Sequence, residues 1–314
     1  MKDLRDFPKV SLGIFPTPIQ RLNNISRILG ANVWVKRDDM TGIGLGGNKI
    51  RKLEFLLADA IAQGAELVFT TGGAQSNHAM LTAASAAKLG LKAILILKKR
   101  GVTDVAGNIF LEKLMGTDVR FMDTDDYADI YAEMDRIAEE TGLKAYKIPM
   151  GGSNALGTLG YVSCAEEISK QGIRFDHIVC AEGSGGTMAG MALGATLFMP
   201  EAKVHGMMVD ATDFAPVTLS LMREAAALLE AGGEITGKDF DLRPVWGEGY
   251  AIPSPEGNAA VSLMASKEGI FLDPVYTGKA FGGLIAMAKE GAFRSEDNVL
   301  FLHSGGAGGL FAVH

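Results

Sequence analysis

Only two cysteines, Cys164 and Cys180, occur in 314 residues, and no CxxC spacing joins them. That excludes a disulfide-stapled secreted scaffold and leaves two reduced, partly buried thiols as the expectation. Histidine is also scarce. His78, His177, His205, His303 and His314 form no HExxH or other ligand spacing, so no metal site is expected and each reads as a packed or hydrogen-bonded side chain. Long apolar runs are missing: MAGMALGATLFMP at 188–200 is too short and glycine-broken to span a bilayer. MKDLRDFPKV at the start has no apolar run and does not read as a signal peptide. Basic charge is not in excess either. Thirty Lys and Arg against 37 Asp and Glu give a net charge of −7, which argues against nucleic acid or an anionic membrane as partner. A soluble cytoplasmic protein is the expectation.

Glycine is abundant, with 40 residues and no collagen-like period. It clusters between apolar segments, as in α/β proteins that bring backbone close to a ligand. The length suits two lobes, since single cores stop growing near ~250–300 residues. Short apolar strands alternate with helical patterns, which predicts an α/β fold of open, mostly parallel sheets built from βαβ units. Strands are expected at 32–37, 66–71, 92–97, 118–123, 144–149, 177–182, 203–210, 270–274 and 298–304. Helices are expected at Lys49–Gln63, with Leu53, Leu56, Leu57, Ala60 and Ile61 at helical spacing, and at Ser76–Leu89, Tyr127–Glu140 and Thr158–Gln171.

Five glycine-rich stretches lie at strand-to-helix junctions: GIGLGGNKIRKLE (42–54), TTGGAQSNHA (70–79), GGSNALGTLGY (151–161), EGSGGTMAG (182–190) and HSGGAGG (303–309). Such turns expose backbone N–H groups at the positive end of a helix dipole, and several in one chain suggest a phosphorylated ligand. A P-loop fails because Asn48, not lysine, follows Gly47. A dinucleotide turn fails where Met188 replaces its third glycine, although Asp210 could mimic a ribose-binding acid. A nicotinamide oxidoreductase and a non-enzymatic ligand-binding module therefore stand as the alternatives. Lys49 is unusual: it follows Gly46, Gly47 and Asn48 and opens an amphipathic helix beside Arg51 and Lys52. Most lysines are solvated charges. Adjacent cations and partial burial would lower this ammonium's pKa, as a lysine that attacks a carbonyl requires. A phosphate-bearing carbonyl cofactor joined to lysine is pyridoxal 5′-phosphate.

GGNKIRKLEFLLADA, TTGGAQSNHAMLTAASAAKLGL and LDPVYTGKAFGGL resemble the fold-type II pyridoxal-phosphate enzymes of the D-cysteine desulfhydrase and 1-aminocyclopropane-1-carboxylate (ACC) deaminase family, over essentially the whole chain. The resemblance implies a two-lobed, tryptophan synthase β-like architecture. Residues 1–49 and 151–314 would form the large cofactor-binding domain and 50–150 a small inserted one, in a homodimer. It implies that Lys49 carries the cofactor and takes the Cα proton. Lys52 helps hold the phosphate, and the Gly183, Ser184, Gly185, Gly186, Thr187 turn cradles it. Asn77 meets the ring oxygen, Ser76, Asn77 and His78 meet the substrate, and Tyr276 and Tyr250 are active-site tyrosines. Thr277 and Ser304 contact the cofactor ring. They stand where ACC deaminases carry glutamate and leucine, and so point to the desulfhydrase side. Where desulfhydrases continue QSNH with VRQTA, this chain has Ala79-Met80-Leu81-Thr82-Ala83. The implied reaction is α,β-elimination from a small β-substituted amino acid. D-Cysteine is preferred, L-cysteate is the alternative, and ACC comes third.

Overall fold

The computed structural model describes residues 1–314 except Val102, Asp125 and His314, so the reading of His314 lies outside the described residues. Ten strands are present among them: β1 (Ile19–Arg21), β2 (Asn32–Lys36), β3 (Leu67–Gly73), β4 (Lys92–Lys98), β5 (Asp118–Met122), β6 (Ala145–Lys147), β7 (His177–Glu182), β8 (Lys203–Met208), β9 (Asp241–Pro244) and β10 (Asn298–Leu302). They form a six-stranded sheet, β1-β2-β10-β7-β8-β9, and a four-stranded sheet, β5-β4-β3-β6. Every pairing is parallel except β1 with β2. Central strands such as β7 (HIVCAE) are apolar runs because helices cover both sheet faces.

Three departures from the expected elements have physical reasons. β1 (IQR) and β9 (DLRP) are sheet edges, half wet, and so carry no apolar run. Residues 270–274 form no strand. Ile270 and Leu272 are apolar because they plug a core cluster with Leu22 and Met264, while Phe271 is 64% exposed. Of the expected helical stripe only Ile61 is exposed; Leu53, Leu56, Leu57 and Ala60 are buried, together with Ile50.

The Lys49–Ala62 helix is buried on most sides, as its sequence IRKLEFLLA does not suggest. It crosses the Ala155–Lys170 helix so closely that a Cβ on Gly160 would lie 2.4 Å from the Arg51 carbonyl oxygen. On its other side, the Ala155–Lys170 helix meets the Gly186–Phe198 helix, where a Cβ on Gly190 would lie 2.4 Å from the Thr158 carbonyl oxygen. Close approach therefore requires glycine at both positions. Cys164 and Cys180 are free and buried in the largest core cluster, and burial pushes both thiols up. Ala79, Met80, Leu81, Thr82 and Ala83 are also buried, so this departure from VRQTA changes contacts behind the cleft instead of its lining.

Candidate active site

The carboxyl ends of β3, β4, β7, β8 and β10 converge on a cleft of about 310 Å³, within the roughly 300–1,000 Å³ usual for small-molecule sites. Lys49, at the first turn of its helix, lines it and donates to the Gly151 carbonyl at 3.3 Å. Burial draws the Lys49 ammonium down to about 8, against the pull of Glu182. Arg51 takes no part in this, contrary to the expectation drawn from its neighbouring position. Its guanidinium points away from the cleft, bonding both Asp38 oxygens at 2.8 Å and Glu167 at 2.9 and 3.0 Å. Lys36, Thr17 and Tyr161 complete that buried network.

Lys52, one helical turn from Lys49, shares the same acceptor. Its fully buried Nζ donates to Gly151 O and Ser153 Oγ, each at 3.2 Å. Burial, then the nearby Lys49, hold it well below the usual lysine range. Behind the cleft, Gly186 N donates to Ser153 Oγ at 3.2 Å, and a Cβ on Gly186 would sit 2.8 Å from Lys52 Nζ. Gly183, Ser184, Gly185 and Thr187 face the cleft, and Asn48 Nδ2 donates to Thr187 Oγ1 at 2.9 Å. A glycine turn at a helix N-terminus with an ammonium behind it fits a phosphate group. The donor set therefore suits pyridoxal phosphate.

Ser76 caps the Asn77–Leu89 helix by accepting from Ala79 N at 3.2 Å, which leaves its hydroxyl hydrogen free toward the cleft. Asn77 Oδ1 accepts from Asn108 Nδ2 at 2.7 Å, so its own amide hydrogens remain as donors. Thr70 Oγ1 donates to Ile148 O at 3.0 Å, so its 2.9 Å contact with His78 Nε2 has the histidine as donor. Burial and the two lysines hold His78 well below its usual range, and its Nδ1 has no hydrogen-bond partner among the described residues.

Tyr250 and Tyr276 line the cleft with their hydroxyls hydrogen-bonded to each other. Burial raises both phenols, so each keeps its proton at neutral pH. Ser304 also lines the cleft, and its carbonyl accepts from Asn48 N at 3.0 Å. Thr277 does not. It is fully buried, with its hydroxyl donating to Asp273 Oδ1 at 2.7 Å and accepting from Asp273 N at 2.8 Å. This reciprocal pair braces the turn that leads into the Thr277–Lys289 helix, and it turns Thr277 away from the cofactor contacts expected of it.

Several lining residues carry no clear signal in the sequence. Lys98 and Arg100 project from the end of β4. Lys98 Nζ lies 3.6 Å from the Tyr127 ring centroid, and Arg100 stacks on Tyr250 at 5.1 Å while pairing with Asp210 at 3.3 Å. The KKR run at 98–100 is their one trace, but nothing local says that a strand end faces a cleft. Glu182 opens the EGSGGT stretch, where the glycines rather than the acid carry the motif.

This fold and this donor set define a pyridoxal-phosphate enzyme of fold type II. A family model described as pyridoxal-phosphate dependent enzyme matches residues 10–305, and the chain belongs to that family. It is 45% identical over 98% of its length, and 94% of the relative's, to a Pyrococcus horikoshii protein provisionally named 1-aminocyclopropane-1-carboxylate deaminase. It is 43% identical, over 100% of its length and 98% of the relative's, to a Klebsiella pneumoniae protein named D-cysteine desulfhydrase. A crystal structure of an ACC deaminase homologue superposes with a TM-score of 0.91 at 43% identity, covering 98% of this chain and 94% of that one. Diaminopropionate ammonia lyase from Escherichia coli, at 16% identity and a TM-score of 0.72 over 97% of this chain and 87% of that one, shares the fold. The chain is thus a pyridoxal-phosphate dependent lyase of the D-cysteine desulfhydrase and ACC deaminase group, which removes the nicotinamide alternative. Among the described residues, no helix is long and apolar enough to cross a membrane.

Proposed function

We propose that the enzyme catalyses α,β-elimination from D-cysteine, releasing sulfide, pyruvate and ammonia. The observation that carries this reading is the protonated Tyr250–Tyr276 pair lining the same cleft as a lysine drawn down to about 8. When bound, pyridoxal phosphate supplies an electron sink conjugated to Cα. Lys52 and the Gly183–Thr187 turn would hold its phosphate, and the Asn77 amide its ring oxygen. Ser76 and the first amides of the Asn77–Leu89 helix hold the substrate carboxylate. Lys49, in its neutral form, removes the Cα proton, and a tyrosine hydroxyl gives a proton to the departing thiolate.

Within the group, the neutral Ser304, together with a Thr277 turned toward Asp273, favours elimination of a good leaving group over cyclopropane opening. L-Cysteate is a second reading, favoured by the two cations Lys98 and Arg100 in the cleft lining, which suit a sulfonate. One panel tests these: pyruvate, 2-oxobutyrate, sulfide and sulfite measured from D-cysteine, L-cysteine, L-cysteate and ACC. Sulfide with pyruvate from D-cysteine should dominate. Sulfite from L-cysteate as the main product would overturn the leaving group, and 2-oxobutyrate from ACC would overturn the elimination.

The proposal extends to domains of 1–49 with 151–314 and of 50–150, supported by the division of the strands between the two sheets. It extends also to a cytoplasmic homodimer. Exposed Phe110, Leu114 and Phe311, carried on or beside two contacting helices, support self-association.

A further inference from the structure

Glu182 ends β7 at the entrance to the phosphate turn and is 1% exposed. Its Oε1 accepts from Gly185 N at 2.7 Å, which folds the carboxyl back into the turn that would cradle the phosphate. Its Oε2 is buried and has no hydrogen-bond partner among the described residues, although the residue lines the cleft. Lys49 and Lys52 act on it from the neighbouring helix, yet among the described residues their hydrogen bonds go to Gly151 O and Ser153 Oγ and neither pairs with it. Cys180 lies on its own strand, and Asp210, at the end of β8, is engaged by Arg100.

A carboxylate and a phosphate dianion in one sealed turn repel each other strongly, because low dielectric leaves like charges unscreened. A proton between them turns this repulsion into a charge-assisted hydrogen bond. We propose that Glu182 is a positioning residue that shares a proton with the cofactor phosphate through Oε2, so that the holoenzyme keeps its cofactor only while that proton is held. This rests on the placement of the phosphate at residues 183–187. Burial already raises the Glu182 carboxyl to about 7 without a phosphate beside it, and the added anion acts in the same direction.

The test is ³¹P NMR of the bound cofactor in the holoenzyme, with cofactor loss on dialysis as a second measurement. The wild-type resonance should titrate between about pH 7 and pH 9, and Glu182→Gln, which keeps a neutral donor, should remove that titration. At pH 8.5 the wild type should lose cofactor about tenfold faster than Glu182→Gln, whereas at pH 6.5 the two should match. Glu182→Ala, lacking any donor, should also fail to titrate and should lose cofactor faster than either at pH 6.5. An identical titration in wild type and Glu182→Gln, or none in the wild type, overturns the proposal. Lys52→Met separates the placement from the role. If it leaves the resonance unmoved, the phosphate does not lie in this turn and the proposal falls with that placement.

Discussion

Lys49, Arg51 and Lys52 stand within four residues of one helix, yet they belong to two kinds of buried charge. Arg51 is met on all sides by Asp38, Glu167 and Thr17, at distances of 2.8–3.1 Å. Among the described residues, Lys49 and Lys52 have only the carbonyl of Gly151, with Ser153 Oγ added for Lys52. The fully paired cation keeps its charge, while the poorly paired ones are driven toward neutrality. A buried charge with its partners present belongs to the scaffold. A buried charge without them is poised for a ligand or for chemistry.

The largest effect should come from breaking the poised side. Lys49→Ala removes the proposed Cα base and should lower kcat by at least ~10³-fold in the sulfide assay. Its thermal midpoint should stay close to wild type, since no ion pair is lost. Breaking the paired side should do the reverse. Arg51→Met leaves Asp38 buried without its guanidinium, while Lys36 still pairs with Glu167, and should cost about 3–5 kcal/mol in denaturant unfolding. The kcat per folded molecule in the sulfide assay should remain close to wild type. A third buried charge sharpens the rule. Glu112 is fully buried with both oxygens unpartnered among the described residues, but it does not line the cleft. Burial raises its carboxyl to about 8, above the unfolded value of 4.5. The unfolded chain thus releases this proton first, and the stability tied to it falls as pH rises from 4.5 through 8. Glu112→Met should therefore stabilise the protein, by about 4 kcal/mol at pH 8 and by little near pH 5. A gain that does not grow with pH would show that Glu112 is paired in solution.

The same contrast explains what can be read from the chain alone. Eight of the nine expected strands are present: six are central strands whose apolar runs are visible in one dimension, and β5 and β6 are edges of the smaller sheet that still carry short apolar stretches. The edge strands β1 and β9 offer no such signal. The stretch at 270–274 offers a false one, since core filling by a loop has the same composition as a strand. Lys49, Ser76 and Asn77 are legible because motif and helix start coincide. Arg51 misleads, because neighbours in sequence leave a helix about 100° apart and can face different surroundings. Thr277 misleads because its partner Asp273, four residues earlier, forms a reciprocal pair that only the folded turn reveals. Lys98, Arg100 and Tyr127 reach the cleft from elements whose destination depends on how the two sheets meet.

The glycine crossings at Gly160 and Gly190 act as a gauge. They join three helices in series: the one that opens with Lys49, the Ala155–Lys170 helix, and the one that opens at the phosphate turn. Because each contact is backbone against backbone, the interval between the lysine and the anion cradle is calibrated by main-chain dimensions and not by side-chain size. Side chains elsewhere on these helices can drift over generations without rescaling the distance between Lys49 and the Gly183–Thr187 turn.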